Sequence, residues 1–262
     1  MFGSVLDWFA DPAHWQGEDG IANRMLEHSL LTVTATLLAV LIGLPVALWL
    51  GHIGRGGGLA VNISNVGRAV PTFALLLLLS LGPLGAAHFG PYGRAGLATL
   101  VALVLFALPP IITNAYVGMR EVDRDTVEAA LGMGMSGTQV LRRVEVPLAM
   151  PLIMAGVRLA VVQIWATATI AALVAGPGLG RIITLGFSRQ DAAMVVAGAL
   201  VVAVIALLLE LLMALAQTLL DPVGRARRTP LAAGVLLESG CDLRPPDTRG
   251  DLPRDTQGGA RT

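Results

Sequence analysis

Two long stretches of this sequence, residues 29–119 and 146–220, are almost free of charge. They contain eight of the 36 charged side chains, and the others lie in residues 1–28, 120–145 and 221–262. A helix that crosses the hydrocarbon core of a bilayer needs about 20 apolar residues. The two stretches have room for three and two such helices, so they predict an all-α integral membrane protein.

Five apolar segments divide these stretches into predicted spans, at residues 29–50, 59–82, 95–118, 148–174 and 192–219. Five crossings place the two chain ends on opposite sides of the membrane. Eight arginines of the connecting segments and the tail lie on the side of the C-terminus, and four lie on the other side. Because basic residues are enriched in cytoplasmic loops, this bias predicts an N-terminus outside and a C-terminus in the cytoplasm.

The ends of the chain differ from the predicted membrane part, which covers residues 29–220. Residues 1–28 hold Trp8, Phe9 and Trp15, which is typical of a segment at the outer interface, although a flexible N-terminus fits equally well. They lack the positive start and apolar run of a cleavable signal peptide. Residues 221–262 are rich in Pro, Gly, Arg and Asp, a composition that predicts a disordered cytoplasmic tail.

Composition excludes several classes of function. A net charge of zero with only 14% charged residues excludes a basic nucleic-acid-binding protein. The single cysteine, Cys241, excludes a disulfide scaffold and a cysteine-based zinc site. The chain has no lysine, so it cannot form the phosphate-binding loop GxxxxGK[ST]. Its four histidines are scattered, and we expect no catalytic, cofactor-binding or metal-binding residue.

The long polar loop between spans, residues 119–147, carries the pattern most informative about function. Its first part predicts a short helix with acids in the first turns, where the helix dipole favours them. The residues expected near one face of this helix are Val122, Ala129, Ala130 and Met133. Gly132 and Gly134 end it, and a second helix follows with Ser136 as its N-cap. Such an element either docks in a groove of a partner or is an ordinary surface loop.

The spacing within this loop resembles the signature of ABC importer permeases, which is Glu-Ala-Ala, three residues, Gly, nine residues, then aliphatic-x-aliphatic-Pro. Here the matching residues are Glu128-Ala129-Ala130, Gly134 and Val144-Glu145-Val146-Pro147. Other segments, among them RAVPTFALLLLL and ATATIAALVAGPGLG, are similar to the quaternary-amine branch of that family. Members of this branch import glycine betaine, carnitine, choline, proline betaine and related osmoprotectants. The similarity covers about residues 25–220.

The resemblance implies the type I permease fold of the methionine importer, with a cytoplasmic coupling helix, in a bacterial cytoplasmic (inner) membrane. It implies that Glu128, Ala129, Ala130 and Gly134 contact a cytoplasmic ABC ATPase, and that Pro147 fixes the start of the next span. Gly134 and Pro147 serve equally well as simple helix punctuation. ATP and Mg²⁺ would bind the ATPase and not this chain. The other implied partners are a second permease copy or a homologue, an extracytoplasmic substrate-binding protein and membrane lipid.

Polar residues inside spans are costly and indicate either a translocation path or a structural partner. The path candidates are Asn62, Asn65, Arg68 and Gln163. Residues 59–68 fit the cytoplasmic surface as an alternative. We expect Arg158 to pair with a carbonyl group or with an acid such as Glu210. The outer loop 176–191 is a candidate contact for the substrate-binding protein or a plain connector.

Two other functions stay open at this point. One is an ABC permease for another small solute, such as an amino acid or an anion. The other is an ABC-type membrane subunit that does not transport. Aromatic faces typically hold a trimethylammonium group, and the few aromatic residues of the spans form no recognisable cage. If the solute is a quaternary amine, we therefore expect its affinity to reside mainly in the binding protein.

Overall fold

The computed structural model describes residues 2–58, 62, 67, 69–88, 90–93 and 95–220. Two candidate path residues, Asn65 and Arg68, lie outside the described residues, as does the predicted tail 221–262. Helices account for nearly all of the described part. The helices are α1 (Phe2–Ala10), α2 (Ile21–His52), α3 (Thr72–Leu81), α4 (Pro83–Ala86), α5 (Gly96–Arg120), α6 (Arg124–Gly132), α7 (Gly137–Val140), α8 (Val146–Ala171), α9 (Gly180–Ser188) and α10 (Ala192–Leu220).

Four helices of the described part are long and apolar enough to cross a membrane. They are α2, α5, α10 and the continuous helix Gly137–Val174, which contains α7 and α8. The predicted spans 95–118 and 192–219 agree with α5 and α10 to within two residues. The predicted span 59–82 is described only as the ten-residue helix α3, and most of residues 59–68 lie outside the described part.

The core of the bundle is the packing of α5 between α2 and α8. Small residues lie at the contacts, where they let the helix backbones approach closely. The fully buried members include Ala35, Ala39, Ala107, Ala160 and Ala168. A Cβ atom placed on Gly156 of α8 would lie 2.8 Å from Asn114 Cβ and 2.9 Å from Pro110 O. The two helices therefore touch with no room for a further methyl group.

The helix α2 begins at Ile21 and not at residue 29 as the hydropathy pattern predicted. Arg24, Glu27 and His28 interrupt the apolar pattern, but each has a partner in the folded chain, so the helix includes them. The remaining N-terminal segment is also ordered. Its helix α1 packs on α10 through the buried Trp8, whereas Trp15 is exposed.

The helix α8 begins at Val146 with Pro147 in its first turn, so the role of Pro147 in fixing the start of this span stays a prediction. The chain continues from α7 through one π-helical turn, Leu141–Glu145, into α8 without a break. A proline ring inside an α-helix collides with the carbonyl group four residues earlier, here that of Arg143. Arg143 lies within the π turn Leu141–Glu145, in which the Val146 N–H donates to the Leu141 carbonyl, so regular α-helical geometry does not apply at its carbonyl group.

The expected partner of Arg158 is confirmed. Arg158 Nε donates to Glu210 Oε1 over 2.9 Å, and a second guanidinium nitrogen contacts the same oxygen. Arg158 Nη1 also donates to Gln217 Oε1 over 3.3 Å, and the Gln217 amide donates to the Pro151 carbonyl. This network joins α8 to α10 and gives a charge within the apolar helices the partner that it needs.

The close approach of α5 and α8 gives a test of the packing. Gly156→Ala should lower the thermal midpoint of the purified protein, because the new methyl group meets a Cβ atom and a backbone oxygen, and overpacking costs about 1–3 kcal/mol. Gly3→Ala is the matched control, since a Cβ atom there meets nothing within 4 Å. Thermal unfolding in detergent measures both, and equal midpoints would contradict the described packing.

Candidate coupling element and translocation path

The polar loop folds into two helices joined by a glycine turn. Asp123 caps α6, because its Oδ1 accepts from the Asp125 N–H over 3.0 Å. After α6 ends, Gly134 adopts φ +87°, a left-handed conformation that favours glycine. The Gly134 N–H donates to the Leu131 carbonyl and the Met135 N–H to the Ala130 carbonyl, so the turn closes the end of the helix. The predicted break after Gly132 is confirmed.

Ser136 begins the second helix as predicted. Its Oγ accepts from the Gln139 N–H over 3.4 Å, and its own N–H donates to Gln139 Oε1 over 2.8 Å. This reciprocal pair is a capping box, which satisfies two backbone donors at a helix start. Because the helix that starts here continues to Val174, the loop is joined rigidly to a membrane span.

The two faces of α6 differ in what they contact. Val127 and Ala130, which is 3% exposed, pack with Val122 and Val140 against the ends of α5 and α8. The remaining residues of α6 and of the turn after it include an exposed patch, which we call the coupling surface and which consists of Glu128, Ala129, Leu131, Met133 and Gly134. Leu131 is 49% exposed and Met133 is 78% exposed.

The sequence analysis assigned two of these residues to the wrong face. Ala129 and Met133 were expected beside Val122 and Ala130, but both are exposed. Met133 lies in the glycine turn, because α6 ends at Gly132, and so does not continue the helical periodicity. Ala129 lies within α6, but it is turned by about 100° from its buried neighbour Ala130. Of the four predicted ATPase contacts, Glu128, Ala129 and Gly134 therefore lie on the surface, whereas Ala130 is part of the core.

A polar contact joins this two-helix element to the end of α2. Glu145, in the π turn, has a side chain only 5% exposed, and its Oε2 lies 2.5 Å from His52 Nδ1 at the end of α2. A Cβ atom on Gly137 would lie 3.6 Å from His52 Nε2, so His52 also contacts the start of α7. Sequence reasoning missed this pair. The available signal was an acid between Val144 and Val146 in an otherwise apolar run.

A cavity of about 310 Å³ lies between α3, α5 and α8. Its lining consists of Gly67, Val70, Thr72, Phe106, Pro109, Pro110, Thr113, Asn114, Leu159 and Gln163. The candidate path residue Gln163 therefore faces a cavity, together with polar residues that the sequence analysis did not single out. Asn62 is exposed and is not part of this lining. The described lining contains amide and hydroxyl groups and no acidic or basic side chain.

A second polar network lies at the opposite end of α2. Arg24 contacts Asp19 and donates to Glu27 Oε2 over 2.8 Å. The same Glu27 oxygen accepts from the Gly178 N–H over 3.0 Å, in the loop that follows α8. These contacts link residues about 150 positions apart in the chain, and no local pattern in the sequence indicated them.

His28 extends this network into the interior. The Leu179 N–H donates to His28 Nδ1 over 3.2 Å, so Nε2 carries the proton and donates to the Trp165 carbonyl over 3.1 Å. A Cβ atom on Gly178 would lie 2.8 Å from His28 Nδ1, so the loop backbone lies directly on the imidazole ring. Residues 176–180, the first part of the predicted outer loop 176–191, are thereby fixed to α2.

Comparison with known proteins identifies the family. Residues 33–224 match the family described as binding-protein-dependent transport system inner membrane component. The chain belongs to this family. The predicted resemblance to ABC importer permeases and the predicted location in the inner membrane are confirmed by this match and by the relatives.

Several relatives are similar over most of their length. The chain is 31% identical to the choline transport system permease protein OpuBB of Bacillus subtilis (strain 168), over 80% of this chain and 92% of that protein. It is 34% identical to the carnitine transport permease protein OpuCD of Listeria monocytogenes serotype 1/2a, over 80% and 91% respectively. The MetNI methionine ABC transporter in an inward-facing conformation aligns with TM-score 0.64 at 21% identity, over 74% of this chain and 93% of that one. The predicted type I permease fold is confirmed.

The pair of His52 and Glu145 gives a second test. Glu145→Ala should lower the thermal midpoint, because it removes a buried carboxylate together with its hydrogen bond to the half-buried His52, at a cost of about 0.5–1.5 kcal/mol. Glu128→Ala, which removes an exposed acid of the same loop, should change stability by no more than about 0.5 kcal/mol. Thermal unfolding in detergent compares the two variants. Equal shifts would show that the His52–Glu145 contact does not stabilise the element.

Proposed function

We propose that this chain is the permease subunit of an ATP-driven importer of quaternary-amine osmoprotectants, such as glycine betaine, carnitine, choline and proline betaine. The observation that carries the solute class is the similarity to choline and carnitine permeases at 31–34% identity over four fifths of the chain. The similarity to the methionine transporter supports the fold and does not indicate the solute.

The coupling surface is the proposed contact for a cytoplasmic ABC ATPase. Exposed apolar groups such as Leu131 and Met133 on an otherwise polar loop are typical of a surface that a partner covers. Ala129 beside them has a side chain small enough for close approach. Glu128 contributes a charge at the edge of the same patch. ATP and Mg²⁺ bind the partner in this proposal, because this chain has no lysine for a phosphate-binding loop.

The structure of the loop supports transmission of movement from the ATPase to the spans. The helix α6 is packed through Val127 and Ala130, and the chain that follows it becomes the 38-residue helix Gly137–Val174. At roughly 1.5 Å per residue, that helix extends over about 57 Å. A displacement of the coupling surface therefore moves a rigid element that reaches across the membrane. The contact of His52 with Glu145 transfers part of the same displacement to α2.

The cavity between α3, α5 and α8 is the proposed part of the translocation path within this subunit. Its described lining offers amide and hydroxyl dipoles and one aromatic ring, Phe106, without a fixed charge. A neutral lining binds a cationic or zwitterionic solute weakly, which suits a path that must also release it. Affinity then resides in the substrate-binding protein, and a second permease copy or a homologue completes the path.

Uptake measurements test the solute class. Membrane vesicles that contain the chain, an ATPase subunit and a binding protein should accumulate radiolabelled glycine betaine, choline or carnitine only when ATP is supplied. Unlabelled quaternary amines should compete, because they share a quaternary ammonium group, whereas methionine should not. ATP-dependent uptake of methionine without competition by quaternary amines would contradict the proposed solute class and leave the permease assignment intact.

Tryptophan substitutions test the coupling surface. Ala129→Trp should leave the thermal midpoint unchanged and abolish co-purification of the ATPase, because residue 129 is exposed and a large side chain blocks close approach. Ala130→Trp should instead lower the midpoint, because residue 130 is buried among Val127 and Val140.

The matched control for Ala129→Trp is Thr138→Trp. Thr138 is exposed in α7 of the same loop and is not part of the coupling surface. This variant should retain both the midpoint and the ATPase. Normal co-purification of the ATPase with Ala129→Trp would refute the proposed contact.

A further inference from the structure

A second cavity, of about 270 Å³, lies at the end of α2 that is remote from the coupling surface. It is bounded by the start of α2, by α9 and by the start of α10. The polar side chains around it are those of Asp19, Arg24, Arg181, Thr184, Ser188 and Arg189. Three guanidinium groups therefore surround one space together with a single carboxylate.

The charges around this cavity are not balanced. Arg24 is satisfied by Asp19 and Glu27. Arg181 and Arg189 are exposed, and neither forms an ion pair with any other described residue. The hydrogen bond from Arg24 holds the pKa of Asp19 below its ordinary value, and the nearby charges of Arg181 and Arg189 act in the same direction. The cavity therefore has an excess of positive charge.

The position of the cavity indicates which partner can reach it. Arg24 and His52 are 28 residues apart on one helix, which corresponds to about 42 Å at roughly 1.5 Å per residue. His52 lies beside the coupling element, so the cavity opens on the opposite side of the membrane part. If the coupling surface faces a cytoplasmic ATPase, as proposed above, the cavity faces the binding protein that this family depends on.

We infer that this cavity is a docking site for an acidic side chain of the substrate-binding protein. Guanidinium groups bind carboxylates through paired, charge-assisted hydrogen bonds. Among the described residues no acid pairs with Arg181 or Arg189, so both can make such bonds. The hydroxyl hydrogens of Thr184 and Ser188 are already donated to the carbonyls of Arg181 and Leu185, so the guanidinium groups are the donors that the cavity offers to a carboxylate. The inference rests on the proposed function and adds to it the surface and the chemistry of the contact with the binding protein.

The cavity is also connected to the spans. Arg24 in the cavity wall donates a hydrogen bond to Glu27, and Glu27 accepts a hydrogen bond from the Gly178 N–H in the loop after α8. A carboxylate that enters the cavity alters the field around Arg24 and competes with Asp19 for it. Docking at this place therefore acts directly on the contact that fixes the outer end of α8 to α2.

Binding measurements on the complete complex test the inference. The complex is reconstituted in lipid nanodiscs, and the probe is the binding protein that stimulates its ATP hydrolysis. The double variant Arg181→Gln/Arg189→Gln should raise the Kd of this binding protein about tenfold or more and reduce the dependence of the Kd on salt. The double variant to lysine should keep the dependence of the Kd on salt, because it retains the charges, and should have a Kd between those of the wild type and the glutamine variant, because lysine cannot form the paired hydrogen bonds. ATP hydrolysis without the binding protein should be unchanged in both.

The matched control is Gln190→Glu, which changes the charge by one unit, as each arginine substitution does. Gln190 follows Arg189 in the chain but does not line this cavity. It should leave the Kd unchanged. An unchanged Kd in the glutamine double variant would overturn the inference, even if the complex then retained less anionic lipid. An equal effect of Gln190→Glu would overturn it too, since the effect would then reflect net charge alone.

The transport function and the docking site can be contradicted by different results. If no binding protein stimulates ATP hydrolysis by the wild-type complex, the proposed function is contradicted, and the docking site is rejected with it. If stimulation and uptake are normal in the wild type and in the glutamine double variant, the proposed function is supported and only the docking site is rejected.

Discussion

The close packing of α5 between α2 and α8 is the contact on which the other features depend. Glycine and alanine at these contacts bring the helix backbones so near that no methyl group can be added at Gly156. This proximity brings His52 within reach of Glu145 at one end of the bundle and His28 within reach of Leu179 at the other. Because a close-packed interior deforms little, both ends respond to the movement of one rigid unit.

The sequence was sufficient for features that depend on local pattern. Scarce charge located the spans, Ser136 and Gly134 marked a helix start and a turn, and an acid such as Glu210 was one of the two kinds of partner expected for Arg158. The sequence was insufficient for features that depend on contacts between residues far apart in the chain. The start of α2 at Ile21 depends on partners of Glu27 and His28 that lie about 140 to 150 residues away in the chain, and a hydropathy pattern contains no information about such partners. The pairing of His52 with Glu145 spans 93 residues and has no periodic signature.

The residues of the recognised motif do not all have the same role. Ala130 belongs to the core, whereas Glu128, Ala129 and Gly134 form a surface, although all four belong to one short motif. In a motif of this kind some residues pack in the core and others are available to contact a partner. The burial of each side chain shows to which of the two groups it belongs. The translocation candidates divide similarly, since Gln163 faces a cavity and Asn62 does not. Asn65 and Arg68 stay predictions.

The π turn at Leu141–Glu145 has a consequence for how such a subunit can be matched to its neighbours. A π turn contains one residue more than the α-helix around it, and one residue corresponds to a rotation of about 100°. The side chains before the turn are therefore set at a different angle from those that follow it in the span. Gain or loss of a single residue here rotates the coupling surface relative to α8 while the amino-acid sequence of α8 stays the same, so the orientation of that surface can change separately from the residues that pack the span.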